Sequence, residues 1–399
     1  MKKICLVVVG LYISVLSAFS QIADSSQYKK RKLALDEINL VSSYYSQDGV
    51  NSAVTGGIGT EKLTDLSNSF ELKFHKYDKK NRKRNWNINM GVDYYTSASS
   101  DKIDPSTISS ASSKDLRFYP SFEHVVEYEP KRKKINFNLS TSIESDYVSI
   151  GFGAGITKRS KDDNKEFIIK AQCYADRVEI ILPYELRTPE TGGLWGYPNQ
   201  YRYPKKGRLT LSTLFSYSQV INDRLQLMLL TEPTYQHGFL SMPFHRVYFG
   251  NGSMKTELLP STRFKLPIAA RATYFLGDRL ILRSYYRFYY DNWGLTAHTA
   301  ELETAVKINQ LFSISPFYRI YAQQSINYFA PYLQHNITDV YYSSNYDLSE
   351  FNSHFWGAGF RFTPLKKVIG IKQFELRYGH YKRTNNLQSD IISMFLKFR

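Results

Sequence analysis

Cysteine is nearly absent: the 399 residues contain two, Cys5 and Cys173. Cys5 lies inside an apolar N-terminal run, so Cys173 stands alone in the remainder and has no partner for an intramolecular disulfide. No Cys-x-x-Cys or Cys-x-x-Cys-His occurs, which removes zinc-ribbon, thioredoxin-type and covalent c-type haem readings. Long apolar runs are lacking too. After residue 20 no stretch reaches the roughly 18 apolar residues that a transmembrane helix needs. The eight histidines never fall at His-x-x-x-His spacing, and there is no Gly-x-Ser-x-Gly. These absences leave no catalytic constellation, no metal-ligand set and no cofactor motif, and the expectation is a non-enzymatic protein.

Aromatic residues and positive charge are plentiful. There are 32 Tyr and 25 Phe. Tyrosine at that level suits surfaces with one wet and one apolar side, such as a membrane interface. The formal charge is +16, but the basic residues gather in short runs such as Lys79–Arg84, Lys131–Lys134 and Lys158–Lys161. These runs lie between strand-like segments and read as solvated turns near anionic headgroups rather than as a nucleic-acid surface. The N-terminus has a basic head, Met1-Lys2-Lys3, a mostly apolar stretch from Ile4 to Phe19, and small residues before Gln21. That layout is a secretory signal peptide over 1–20, followed by a polar periplasmic stub over 21–32.

The dominant pattern from residue 33 onward is period-two alternation. In Arg279–Tyr290, Leu280, Leu282, Tyr286, Phe288 and Tyr290 share one face, while Arg279, Arg283 and Arg287 share the other. A helix would scatter those arginines; a strand gathers them on one side. The same alternation runs through Phe70–His75, Trp86–Tyr94, Ile135–Ile143, Val148–Ile156, Leu209–Tyr217, Phe374–Gly379 and Ile392–Phe398. One face is too polar for a soluble core and the other too apolar for water. A barrel with its apolar face to lipid and its polar face to the lumen reconciles the two, and closure satisfies every backbone hydrogen bond within a bilayer. The predicted fold is all-β: an up-and-down antiparallel transmembrane barrel of about sixteen strands over 33–399. The segments start near residues 33, 68, 85, 118, 135, 147, 166, 208, 224, 262, 279, 294, 311, 353, 372 and 388. The long connections (47–67, 97–117, 179–207, 237–261 and 323–352) all fall among the odd ones, and the even ones are mostly short. Both termini then face the periplasm, with the long loops outside.

Alternation places Glu71, Lys73, Asp93, Lys170, Arg271, Arg283, Arg287, Glu301, Glu303, Arg319, Arg361, Glu375 and Arg377 on the lumen face. Two readings stay open for this set: a ladder of paired charges that stiffens the wall, or a constriction that attracts anions. A second feature is the loop Ser46–Glu61, with Gly56, Gly57 and Gly59 close together and Asp48, Glu61 and Asp65 around them. It reads as a structural loop folded over or into the barrel, with a cation site as the alternative; the regular calcium-loop spacing is missing. The polar stretch Asp93–Asp115 has the same ambiguity.

Tyr44–Glu61, the Asp93–Asp101 segment and the glycine strand Val148–Thr157 resemble the domain-of-unknown-function family numbered 3570, over nearly the whole mature chain. The resemblance implies an outer-membrane β-barrel of the kind typical of Bacteroidetes, with no assigned activity. It also implies proximity to flavin-transferase and thioredoxin-like proteins, and so a redox- or cofactor-linked envelope system. Two functions follow as expectations: a pore or substrate-selective channel, or a non-transport scaffold or receptor that anchors an envelope complex. The partners expected are outer-membrane lipid, the barrel-assembly machinery and an envelope protein, with no nucleic acid.

Overall fold

The structure is a computed structural model that describes residues 32–96, 114–186, 204–366 and 370–399. The segments expected to be a signal peptide (1–20) and nearly all of the expected stub (21–32), together with 97–113, lie outside these residues. The first half of the wall is β1 (Ala34–Asp48), β2 (Leu63–Tyr77), β3 (Lys83–Thr96), β4 (Lys114–Tyr128), β5 (Lys133–Ile143), β6 (Tyr147–Arg159), β7 (Lys165–Glu179) and β8 (Lys205–Asn222). There follow β9 (Leu225–Thr231), β10 (Thr234–Gly238) and a small hairpin of β11 (Arg246–Tyr248) with β12 (Met254–Thr256). The second half is β13 (Thr262–Leu276), β14 (Leu280–Asp291), β15 (Thr296–Lys307), β16 (Phe312–Gln323), β17 (Phe351–Phe362), β18 (Ile371–Arg383) and β19 (Gln388–Phe398).

Each wall strand pairs antiparallel with its neighbours, and β1 pairs with both β2 and β19, closing the ring. β9 and β10 both lie between β8 and β13. They are one strand position interrupted at Glu232-Pro233, because proline cannot donate to the ladder. The seventeen-stranded sheet therefore has sixteen positions. At the closing seam Glu37 receives Lys397 at 2.5 Å and Lys73 at 3.0 Å, tying β19, β1 and β2 together.

Turn chemistry fixes the short connections. The Asp78 side chain accepts from the N–H groups of Lys80 and Arg82, and Asn81 takes a left-handed conformation with φ 60°. The side chains of Asn222 and Asn309 accept the N–H groups two and three residues onward. Apolar side chains face outward and remain exposed: Phe152, Leu229, Ile268 and Leu302 are 50–59% exposed, on strands spread around the ring. This inversion of the soluble pattern is that of an outer-membrane-type barrel.

At the long-loop end the connections fold together. Val247 and Phe249 of the β11–β12 hairpin form a buried cluster with Tyr342 of the 324–350 loop. Leu259 and Ile326, from the same two loops, pack on Trp293, Leu295 and Ala297 and against Tyr289 and Tyr321. Leu295, Ala297, Tyr289 and Tyr321 share the face of Glu301, Arg287 and Arg319 on their strands, so the loops form a cap seated in the barrel mouth. The sequence patterning did not foresee this inward fold for 237–261 and 323–352.

Candidate functional site

The site is built from the lumen face of β13 to β18 and the cap above it. Arg283 on β14 sits directly opposite Glu303 on β15, with Nη1 2.6 Å from its carboxylate. Arg377 on β18 reaches the other oxygen of Glu303 at 2.8 Å. Two strands separate β18 from β15 in the wall, so this contact bridges over β16 and β17 along the inner face. Arg319 bonds Glu301 at 2.5 Å, and Arg361 bonds Glu375 at 2.9 Å. Phe317 lies under Arg377 and Phe355 under Arg319, at 4.2 and 5.3 Å to the ring centroids. Half-exposed pairs of this kind contribute little stability, about 0–1 kcal/mol each. Their effect is to fix side-chain positions and cancel charge.

Two arginines of the lumen set have no carboxylate partner among the described residues. Arg271 on β13 lies over the Tyr285 ring at 5.6 Å. Arg287 on β14 makes only a 3.4 Å contact to the Thr299 hydroxyl, and its Nε has no partner. Neither Glu301 nor Glu303 neutralises them, since Glu301 is held by Arg319 and Glu303 by Arg283 and Arg377. Lys265, two strand-repeats below Ala269 on the face of Arg271, likewise forms no ion pair among the described residues. Arg263, beside it, pairs with the fully buried Asp291 at 2.5 Å and lies 4.2 Å from the Trp293 ring centroid. Arg263, Lys265 and Asp291 were not singled out in the sequence, although alternation back from Arg271 on β13 places Arg263 and Lys265, and alternation on from Arg287 on β14 places Asp291, on the lumen face.

The opposite side of the mouth is acidic. Ligand oxygens of Asp115, Glu144 and Asp146 lie within 4.8 Å of one another. Burial, with the neighbouring carboxylates Asp115, Glu144 and Glu179, pushes the Asp146 carboxyl in the β5–β6 turn up to about 6. Asp93 and Glu144 flank Arg117 at 3.8 and 3.6 Å.

The glycine-rich first loop is part of the cap. Gly56, Gly57 and Gly59 all take positive φ, 84–87°. A Cβ on Gly56 would meet the Tyr248 ring at 2.5 Å, and one on Gly57 the Ser344 carbonyl at 2.8 Å. Arg246 donates to the Val54 carbonyl at 2.6 Å, and the Asn51 amide to that of Asn385 at 2.6 Å. The glycines thus let the loop lie close on the hairpin and on the 324–350 loop. Asp48, Glu61 and Asp65 do not converge. Glu61 closes the loop base through its N–H to the Gly49 carbonyl, whereas Asp65 sits within β2 opposite Tyr45 and Tyr95. If that loop nevertheless holds calcium, chelation lowers the melting temperature. The expected result is superimposable melting curves with and without chelator.

The family described as protein of unknown function (DUF3570) matches residues 105–391, well over half of the chain. The chain belongs to this family. No curated protein sequence matches it. Among solved structures, Pseudomonas aeruginosa OccK9 (OpdG) is similar, with 7% identity, 92% of this chain and 98% of that one covered, and a TM-score of 0.44. A BenF-like porin from Pseudomonas fluorescens Pf-5 has 7% identity, coverages of 91% and 98%, and a TM-score of 0.40. The ferric enterobactin receptor (PfeA) of P. aeruginosa, as an R480A/Q482A mutant, has 10% identity, a TM-score of 0.46, and coverages of 87% of this chain and 53% of that one. Likeness at this level says nothing of what this member of the family binds or passes.

Proposed function

We propose that the chain is an outer-membrane channel for small solutes whose lumen favours anions. The observation that carries this reading is the set Lys265, Arg271 and Arg287: three cations on two adjacent strands, all on the lumen face, none of which forms an ion pair among the described residues, since Asp291 opposite Lys265 is held by Arg263. Fixed charges along a narrow aqueous path select ions by sign. The ladder formed by Arg283, Arg319, Arg361 and Arg377 with Glu301, Glu303 and Glu375 is the scaffold against which the free cations stand. The exposed apolar belt supports residence in the outer membrane, so density-gradient fractions are expected to carry the protein with outer-membrane markers.

The test is the reversal potential across a salt gradient in planar bilayers. The native protein is expected to prefer anions, and an Arg271→Ser/Arg287→Ser double variant to lose most of that preference. Arg283→Ser is expected to change selectivity less, because Arg377 still covers Glu303. Selectivity indifferent to the double variant would remove these arginines from the pathway. A second reading, a non-transport scaffold, draws support from the cap packed into the mouth; absence of conductance in the native protein favours it.

A further inference from the structure

The wall opposite the free cations holds a recess of about 400 Å³, lined from β4, β5, β6, β7 and β8. We propose that it binds a neutral polyhydroxylated ligand, a carbohydrate of one or two rings. The inference does not depend on conduction through the lumen.

Two tyrosine rings shape the recess, each lying where a strand has no side chain. A Cβ on Gly151 would fall 2.5 Å from the Tyr174 ring and 2.5 Å from the Ser140 hydroxyl. A Cβ on Gly91 would fall 2.0 Å from the Tyr119 ring. The rings therefore rest on bare backbone along the wall. Aromatic faces of this kind take up the C–H face of a sugar ring while leaving its hydroxyls free. Around them stand Ser140, Ser149 and Thr210, hydroxyls that both donate and accept. The β4–β5 ladder is also interrupted between the Phe118–Ile143 and Ser121–Ser140 pairs, at Pro120, which lines the recess.

Asp176 supplies the decisive polar group. Its side chain is 4% exposed, and Arg208 bonds one of its carboxylate oxygens at 2.6 Å. The other oxygen, Oδ1, is buried and has no hydrogen-bond partner among the described residues. A buried acceptor without a donor costs about 1–3 kcal/mol, and a ligand hydroxyl would meet that need. The charge balance fixes the class of ligand. Asp176 is matched by Arg208, and Arg117 by Asp93 and Glu144. A charged ligand would have to displace one of these partners, whereas a neutral polyol would not.

The experiment is calorimetric titration of the full chain, folded in detergent micelles, with maltose, sucrose and cellobiose, and with sodium acetate as the anionic comparator. At least one disaccharide is expected to bind saturably. Tyr174→Ala, which removes a ring face, and Gly151→Val, which obstructs the recess, are each expected to weaken that binding about tenfold. Both variants should keep the heat-modifiable migration of a folded barrel. Arg287→Ser, on the far wall, should leave sugar binding unchanged even if it abolishes anion preference. The proposal is overturned if none of the three sugars binds, if acetate displaces the sugar, or if Tyr174→Ala and Gly151→Val fold and bind as the native protein does.

Discussion

Leu302→Arg is expected to impair assembly severely. Leu302 lies midway along β15, between Ser284 and Tyr318 on the outward face, and is 50% exposed. An arginine on the lipid face near the bilayer midplane costs about 2–4 kcal/mol, falling to about 0–1 kcal/mol near the interfaces. Total stabilities of folded domains are about 5–15 kcal/mol, so a single such charge is a large fraction. Depth is what decides the size of the effect. Leu282 shares the outward face but lies only three residues beyond the 277–279 turn, so Leu282→Arg should be much milder. Thr210→Arg, on the lumen face of β8, should fold nearly as well as the native chain, because its guanidinium remains in water. The measurement is the urea midpoint for folding into phospholipid vesicles. Equal losses for Leu302→Arg and Thr210→Arg would contradict the division into lipid and lumen faces.

The elements legible from the sequence are those whose cause is local. Alternation in Leu280–Tyr290 and Phe374–Gly379 reports which face meets lipid, because successive side chains of a strand point opposite ways. The turns at Asp78, Asn222 and Gly277 announce themselves through residues that tolerate or hydrogen-bond a tight reversal. Sorting of long and short connections by parity then fixes the up-and-down order. Pro233 marks the break between β9 and β10, but a proline within an alternating run is easily read through. The pairing of lumen charges was not legible. Glu301 and Glu303 face inward together, and register alone sends one to Arg319 and the other to Arg283. The cap was not legible either. Its core joins Val247 and Phe249 to Tyr342, about a hundred residues onward, and neither segment has a periodicity that names the other. The recess at Tyr174 depends on five strands meeting at one height, which no single strand encodes.

The cap is expected to open when Glu257 is removed. Glu257 lies at the end of the β11–β12 hairpin, and its side chain is 2% exposed. One oxygen accepts from the Ser343 hydroxyl at 2.5 Å and the other from the Met242 N–H at 2.8 Å, while His245 Nδ1 stands 3.7 Å away. One carboxylate thus ties the start of the hairpin loop to the 324–350 loop. Burial works to raise its pKa, but the His245 ring and the Ser343 and Met242 donors together hold it below the usual carboxylate range. Glu257→Leu leaves those donors buried and unpaired, at about 1–3 kcal/mol for each. The wall strands do not depend on these bonds, so the loss should appear as local opening rather than unfolding. Arg246 and Lys255, on the hairpin, then become accessible to trypsin. Faster cleavage there is expected in Glu257→Leu, with barrel migration on gels unchanged. The pH dependence has a definite sign. A carboxylate whose folded pKa lies below its unfolded value contributes stability above the unfolded value, and that contribution fades as pH falls through the folded one. Acidification below the carboxylate range should therefore speed cleavage of the native hairpin, measured with an acid-active protease, and do so far less in Glu257→Leu, where the group that titrates is gone. Cleavage equally slow in the native protein and the variant at neutral pH would show that Glu257 does not hold the cap shut.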